Sequence, residues 1–311
     1  MSTQDDPSAF PRTAPRRAPV DRSQVAVQVI GYAVITLFSL FCLFPFVLMI
    51  TNSFATDASV RANGLRLVPS AFTTLAYKVV LVYNPRQIVG AYIVTSLLTA
   101  VGTVFGLFMV GMVGYALQRR DFPIRNGISF FIYFTTLFSG GLIPYYLLVT
   151  RYMGLQNNYL AILLPSLMSP FLVILMKSFL KGIPYEVTES AKIDGASDFR
   201  IYWSIIQPMA LPAMATVGLF LALNYWNEWY NAMLFIPQLK YQPLQLFLYQ
   251  VINKADFIRS SSAAANIPIQ DLPGETLKMA VAVVATGPII LLYPFVQRYF
   301  VQGIVVGAVK G

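Results

Sequence analysis

The sequence of 311 residues contains no histidine and a single cysteine, Cys42. Disulfide frameworks, histidine acid–base chemistry, Cys–His dyads and the usual metal cages are therefore excluded within this chain, and an enzyme is disfavoured. Charge is also scarce, because 11% of the residues are charged against about 25% in soluble domains. Since 57% of the residues are hydrophobic, most of the surface must face a lipid bilayer, and an all-α membrane protein is expected.

The 22 basic residues outnumber the 13 acidic residues, which gives a net charge of +9. The basic residues stand in short groups at the ends of apolar stretches and form no arginine-rich arm. We therefore interpret the charge as a topology signal and expect no nucleic-acid partner.

Residues 1–24 contain four prolines and four arginines and no apolar run, which predicts a disordered cytoplasmic tail. Residues 25–311 are predicted to form one transmembrane domain. The first apolar stretch is too long for a signal-peptide core of about 7 to 15 residues and should remain as a spanning helix. At about 20 residues per span, six spans are predicted: Val25–Ile50, Ile88–Leu117, Ile128–Val149, Tyr159–Leu180, Ile205–Ile236 and Thr276–Val296.

The orientation of the spans follows from their short connections. The connection between the second and third spans carries Arg119, Arg120 and Arg125, whereas the next connection carries only Arg151. Because short cytoplasmic loops are enriched in basic residues, the first of these connections and both chain termini are predicted to be cytoplasmic.

The connection between the fourth and fifth spans, residues 181–212, is predicted to form two short helices. Pro184 suits a first helical turn, and Gly195 suits the left-handed conformation that ends a helix. A second helix from about Ala196 then presents a predicted apolar face of Phe199, Tyr202, Trp203 and Ile206. The pattern alone fits either an amphipathic hairpin on lipid headgroups or a docking surface for a cytoplasmic partner.

The same connection resembles the EAA loop of ATP-binding-cassette (ABC) importer permeases. Ser190 replaces one alanine of the family pattern, and Tyr202 stands where phenylalanine is usual. The matching positions are Glu189, Ala191, Asp194, Gly195, Ala196, Tyr202, Ile205 and Pro208. The run from Asn224 to Trp229 and the closing run from Gln297 to Gly303 are similar to the carbohydrate-uptake branch, which includes maltose permeases. The segment from Ser139 to Tyr146 is similar to its oligo- and polysaccharide subgroup, alginate-type importers among them.

The resemblance implies a type I ABC importer permease fold in the bacterial inner membrane. It also implies a second homologous permease in a heterodimer, two ATP-binding cassette subunits and an extracytoplasmic solute-binding protein. The coupling loop, about residues 181–208, would dock on the ATPase, with Glu189 paired to a basic residue, Gly195 at the turn and Tyr202 as an anchor. No G-x-x-x-x-G-K-[ST] phosphate loop occurs, so this chain is expected to bind no cofactor, and ATP and Mg would bind to the partner ATPase subunits.

Polar residues inside the predicted spans are candidates for a solute pathway, because such residues usually face the bundle interior. Amide and aromatic groups suit sugar recognition, and the fifth span offers Asn224, Trp226, Asn227 and Glu228. Glu228 also lies near a predicted helix end, where a structural role is ordinary. The third span offers Thr136, Ser139, Gly140 and Gly141. Those glycines suit a cavity wall or hinge, or close helix packing.

The two long predicted outer loops, residues 51–87 and 237–275, hold more basic than acidic side chains. This excess suits either attraction of an acidic, alginate-like oligosaccharide or contact with an acidic patch on a delivery protein.

Two other functional classes predict different sequence features. A stand-alone secondary transporter or channel predicts buried ionisable relays or inverted repeats, and a membrane enzyme predicts paired carboxylates or a metal site facing a cavity. Glu228 is the only acidic residue within a predicted span, so a transport subunit of an oligosaccharide importer is the favoured hypothesis.

Overall fold

The computed structural model describes residues 22–82, 85–264 and 273–290. It divides into two compact units, residues 1–49 and 50–311. The described residues are almost entirely helical, and their isolated pairing of extended backbone joins Ala55 to Phe72. The helices are α1 Arg22–Ser53, α2 Asp57–Asn63, α3 Pro85–Gln118, α4 Arg125–Leu137, α5 Leu142–Leu147, α6 Leu160–Ser166, α7 Pro170–Leu180, α8 Tyr185–Ile193, α9 Asp198–Ile201, α10 Leu211–Trp226, α11 Tyr230–Phe235, α12 Leu244–Ala264 and α13, residues 275–290.

Shorter helical turns connect some of these helices. Leu75–Tyr77 and Gln207–Met209 form single turns, and π-helical turns lie at Lys78–Val82, Leu148–Tyr152 and Tyr202–Ile206.

Two helical segments, Val27–Ser53 and Pro85–Gln118, are long and apolar enough to cross a bilayer alone. Three bent helix pairs qualify when each pair is taken together, with bends of 115° between α4 and Leu142–Tyr152, 42° between α6 and α7, and 86° between Asp198–Met209 and α10. The described part of the chain therefore holds up to five spans. The sixth predicted span coincides with α13 as far as residue 290, and its remainder lies outside the described residues.

The third, fourth and fifth predicted spans are interrupted in the structure. The third breaks at residues 138–141, where Phe138 is extended and Gly141 has a φ of 87°. The fourth breaks where Pro170 begins α7 after an extended Ser169, because a proline disfavours the helical conformation in the residue before it. The fifth is α10, which begins at Leu211 and ends at Trp226 rather than covering Ile205–Ile236.

The centre of the second unit is the antiparallel pair α3 and α10. Glycines on each helix admit large side chains from the other, since a Cβ atom on Gly218 would lie 3.1 Å from Leu107 Cδ1 and one on Gly106 would lie 3.0 Å from Leu221 Cδ1. Such close approach lets backbones pack tightly where apolar burial supplies little driving force. The cluster at the C-terminal end of α3, here called the loop-end cluster, includes Val110, Tyr115, Met176, Tyr202, Ile206 and Val217.

The 21-residue helix α12 occupies a region predicted to be a loop. It packs against the N-terminal half of α3, where the backbone N–H of Leu244 donates to Thr95 Oγ1 over 2.7 Å, and Leu244 and Leu248 are buried with Ile88 and Leu277. Its sequence mixes buried apolar residues with charged ones, which explains why it does not qualify as a span.

Candidate functional site

The coupling loop is shaped by a tight turn after α8. Gly195 has a φ of 77°, its N–H donates to the carbonyl of Lys192, and the N–H of Ala196 donates to the carbonyl of Ala191 over 3.0 Å. These two bonds form a Schellman motif, which needs a left-handed residue that glycine supplies without strain. The predicted helix break at Asp194 and Gly195 is therefore confirmed.

The apolar residues of the second short helix do not share one face. Tyr202 and Ile206 are 3% and 1% exposed and belong to the loop-end cluster, whereas Phe199 and Trp203 are 57% and 51% exposed. The exposed pair stacks with ring centroids 6.3 Å apart and planes 10° from parallel. The prediction of a single face was wrong because the π-helical turn at Tyr202–Ile206 departs from the 3.6-residue period.

The residues that match the EAA pattern divide between an outer and an inner surface of the loop. Glu189, Asp194, Gly195 and Pro208 are exposed, whereas Ala191 and Tyr202 are buried. Ala196 and Ile205 are half-buried and pack against the loop-end cluster. The loop therefore exposes Glu189 and Asp194 on its outer surface, while its inner side packs against the helix bundle.

A chain of four charges fixes the coupling loop to the end of α3. Lys192 in α8 pairs with Asp121, Asp121 pairs with Arg119, and Arg119 Nη1 lies 2.5 Å from Asp198 Oδ1 in α9. Arg119 Nε also donates to Asp121 Oδ1 over 2.8 Å. We call Lys192, Asp121, Arg119 and Asp198 the charge clamp. It joins the connection after α3 to both short helices of the loop.

The clamp changes the titration of its members. Hydrogen bonding from Arg119 holds the pKa of Asp121 well below its ordinary value of 3.8 despite partial desolvation, and Lys192 adds to this effect. The same pairing raises the pKa of Arg119. The sequence indicated Arg119 only as a topology signal and did not predict the clamp. Asp121 and its partner Lys192 lie 71 positions apart along the chain, and Arg119 and its partner Asp198 are also far apart.

The candidate pathway residues of the fifth span lie at the turn between α10 and α11. Glu228 Oε1 accepts from the backbone N–H of Asn231 over 2.8 Å, and Oε2 accepts from Asn231 Nδ2 over 2.9 Å. Tyr145 Oη donates to Asn231 Oδ1 over 3.1 Å. Glu228 therefore caps the first turn of α11 and, through Asn231, connects it to α5, which is the structural role considered for it.

The other three residues of this group do not share one surface. Asn224 and Asn227 are exposed, and Asn227 Oδ1 accepts from Gln245 Nε2 over 3.2 Å. Trp226 is 7% exposed, and its indole N–H donates to the carbonyl of Ala285 over 3.1 Å. The structure thus separates Trp226, which packs between α10 and α13, from the two exposed amides.

The candidate residues of the third span lie at its 115° bend. Thr136 Oγ1 donates to the carbonyl of Tyr133 over 2.6 Å, and Ser139 Oγ accepts from the N–H of Gly141 over 3.2 Å. No atom of the described residues lies within 4 Å of the Cβ positions of Gly140 and Gly141. Close helix packing is therefore not the use of these glycines within the described part of the chain, and they form an exposed bend.

Bent apolar helices around a tightly packed α3–α10 pair, with a two-helix loop held on one end, define a membrane transport subunit of the permease class. The chain belongs to the family described as binding-protein-dependent transport system inner membrane component, which matches residues 102–306. It is therefore the permease subunit of an ABC importer.

Three similar proteins support this assignment. The chain is 37% identical to the polygalacturonan/rhamnogalacturonan transport system permease protein YtcP of Bacillus subtilis (strain 168), over 90% of this chain and 96% of that one. It is 26% identical to the arabinooligosaccharides transport system permease protein AraQ of Halalkalibacterium halodurans, over 91% and 95% of the two chains. A bacterial ABC transporter involved in the import of the acidic polysaccharide alginate contains a chain with a TM-score of 0.73 and 28% identity, covering 91% of this chain and 99% of that one.

Proposed function

We propose that this permease forms half of the translocation pathway of an ATP-driven importer for acidic oligosaccharides and receives the movement of its ATPase through the coupling loop. The observation that carries the proposal is the construction of that loop. Its Gly195 turn and charge clamp make it one rigid piece, while Glu189 and the Phe199–Trp203 pair remain exposed on it. A rigid element fixed to spanning helices can pass a rigid-body displacement to them.

The partners of this chain follow from the same construction. The exposed Phe199–Trp203 pair and Glu189 would contact an ATP-binding cassette subunit, with Glu189 paired to a basic residue. Two such subunits would bind ATP and Mg, since this sequence has no phosphate-binding loop. A second homologous permease would complete the pathway as a heterodimer, and an extracytoplasmic solute-binding protein would deliver the solute. In this arrangement both termini and the coupling loop are cytoplasmic.

The substrate class is supported by the relatives and by charge. Alginate and polygalacturonan consist of sugar units that carry carboxylates, and both names occur among the similar proteins. Basic side chains on the side away from the coupling loop, including Lys240 and Lys254, would favour an anionic solute over a neutral one. Asn224 and Asn227, together with Thr136, Ser139, Gly140 and Gly141 at the bend, are the proposed pathway residues.

The test is purification of the chain from its native membrane, identification of the proteins that remain bound, and reconstitution of the complex. ATP hydrolysis by the complex should rise in the presence of the binding protein and a uronate oligosaccharide, and should respond less to a neutral oligosaccharide of equal length. Equal stimulation by both solutes would remove the acidic substrate class. A lone chain that transports solute without an ATPase would remove the importer itself.

A further inference from the structure

A cleft of about 580 Å³ with a mostly basic rim lies beside the coupling loop, at the ends of four helices. Its walls come from the C-terminal ends of α3 and α7, the N-terminal end of α4 and the first turn of α8. Four basic side chains and one acidic side chain line it: Arg120, Arg125, Lys177, Lys181 and Glu186. Lys181 and Glu186 stand at the start of the coupling loop, but the positive charge of the cleft takes no part in the proposed ATPase contact or in the candidate pathway.

Three of the four basic side chains of the cleft contact neutral partners. Lys177 Nζ donates to Ser129 Oγ over 2.7 Å, Arg125 Nη1 donates to the carbonyl of Arg119 over 2.8 Å, and the Arg120 guanidinium lies 5.2 Å from the ring centroid of Tyr185. Among the described residues, none of the four forms an ion pair within 4 Å. Because an ammonium has three donors and a guanidinium five, most of their donors remain available to an anion.

A stripe of aromatic rings leads from the cleft along α4. Asn126 lines the cleft, and Phe130 and Phe134 follow it at intervals of four residues on successive turns of one side of α4. Phe138, in the extended segment just after α4, continues the stripe by stacking on Phe134. The three rings are 67%, 42% and 64% exposed. Neighbouring ring centroids lie 6.2 Å and 4.4 Å apart. A molecule with an anionic head and an apolar tail would match both features.

We infer that this cleft binds the phosphate group of an anionic membrane lipid, whose acyl chain lies along the aromatic stripe from Phe130 to Phe138. The ends of spanning helices lie at the level of the lipid headgroups, and basic pockets between them bind such groups. Tyr185, at the start of α8, forms part of the wall, so the bound lipid supports the first turn of the coupling loop. The cytoplasmic location of the cleft rests on the proposed function, whereas its affinity for the lipid does not.

The test counts lipids on the assembled complex. The complex is reconstituted in nanodiscs of phosphatidylcholine with or without phosphatidylglycerol of the same acyl chains, and the retained lipids are counted by native mass spectrometry. We expect one tightly retained phosphatidylglycerol per copy of this chain. The double variant Arg120→Gln/Lys181→Gln should retain it about 30-fold less tightly, since each basic residue near the headgroups contributes roughly one kcal/mol. The matched control, Arg151→Gln/Lys240→Gln, removes the same two charges outside the cleft and should retain it normally.

Three results would overturn the inference. They are equal retention of phosphatidylcholine and phosphatidylglycerol by the wild type, equal loss in the cleft variant and its control, and full displacement of the lipid by inorganic phosphate. The comparison of phosphatidylcholine with phosphatidylglycerol on the wild type needs no variant, so it tests the lipid site even if the double variant fails to assemble. Because the lipid count does not depend on the solute, its failure is distinguishable from a failure of the proposed oligosaccharide transport.

Discussion

The Tyr202 hydroxyl occupies the space that a Cβ atom on Gly111 would need, and such an atom would collide with it. Tyr202 is on the coupling loop and Gly111 is in α3, so this contact sets how closely the loop approaches the bundle. The next nearest atoms to that Cβ position are Tyr202 Cζ at 3.5 Å and Met214 Sδ at 3.6 Å, which are ordinary contacts. The hydroxyl alone therefore makes glycine necessary at position 111.

The substitution Gly111→Ala should push Tyr202 out of the loop-end cluster. We expect a loss of about 1–3 kcal/mol in stability, as for other overpacked cores, together with a lower ratio of solute transported to ATP hydrolysed. Adding Tyr202→Phe should restore both quantities, because it removes the colliding oxygen. The readouts are thermal unfolding of the purified complex and paired assays of uptake and hydrolysis.

The matched control for this prediction is Gly127→Ala in α4, where no atom of the described residues lies within 4 Å of the new Cβ. Alanine has the higher helix propensity, so this control should leave stability unchanged or raise it by up to about 1 kcal/mol. Tyr202→Phe alone should also be tolerated, since the Tyr202 hydroxyl is buried and has no hydrogen-bond partner among the described residues. If Tyr202→Phe fails to rescue Gly111→Ala, the contact does not act through the hydroxyl.

The turn at Gly195 gives a second prediction. Proline or a bulky residue cannot adopt its φ of 77° without strain of about 1–3 kcal/mol. We expect Gly195→Pro or Gly195→Val to leave the complex assembled but to separate ATP hydrolysis from uptake. Gly195→Asn is the control, because asparagine tolerates the left-handed conformation, and it should retain most of the coupling. Normal uptake by Gly195→Pro would contradict the prediction.

Local sequence signals predicted much of the coupling loop and of the long helices. Glycine at 195 fixed the position of the turn, and apolar length identified α1 and α3 within a few residues. A hinge at the Gly140–Gly141 pair was one of the predicted alternatives, whereas the break before Pro170 and the bend before α10 were not predicted, although Pro170 is visible in the sequence. Pro170 was expected to be tolerated inside a span, whereas it begins α7 after a break, and Gly141 directly precedes the first residue of α5.

The features that could not be predicted from the sequence depend on contacts between residues far apart along the chain. The charge clamp joins Asp121 to Lys192, and no periodicity links positions so far apart. Helix α12 was missed because its stability comes from packing on α3 and α13 rather than from a long apolar run. Trp226 was grouped with Asn224 by proximity in sequence, yet neighbouring positions on a helix face different sides.

The charge clamp gives a third prediction, through Asp121→Asn and Lys192→Met. Each single change should lower the thermal stability of the complex, and the double change should cost less than the sum of the two. A double-mutant cycle should give a coupling energy of up to about 1 kcal/mol, because both side chains are about one-third exposed. Additive effects would show that the pair contributes nothing.

The direction of the Asp121 pKa shift predicts how the contribution of the clamp to stability depends on pH. The native pKa of Asp121 lies below its ordinary value of 3.8, so its contribution is complete above that value and is lost as the pH falls further through the native pKa. The stability difference between wild type and Asp121→Asn should therefore be constant from about pH 5 to 8 and should shrink below about pH 4. A difference that disappears near neutral pH would exclude this carboxylate as the cause.

Glu228 allows the structural and solute-binding roles to be separated. Its two carboxylate oxygens accept from Asn231, so Glu228→Ala should destabilise the α10–α11 turn by about 1–2 kcal/mol. Glu228→Gln keeps an acceptor for the backbone N–H of Asn231 and should lose less stability than Glu228→Ala. If the role is structural, the KM for the transported solute stays constant in every assembled variant, whereas Asn224→Ala, which alters an exposed proposed pathway residue, raises it. A KM that rises with Glu228→Gln at unchanged thermal stability would instead show that the carboxylate binds the solute. Uptake kinetics and thermal unfolding, measured on the same preparations, distinguish the structural role from the solute-binding role.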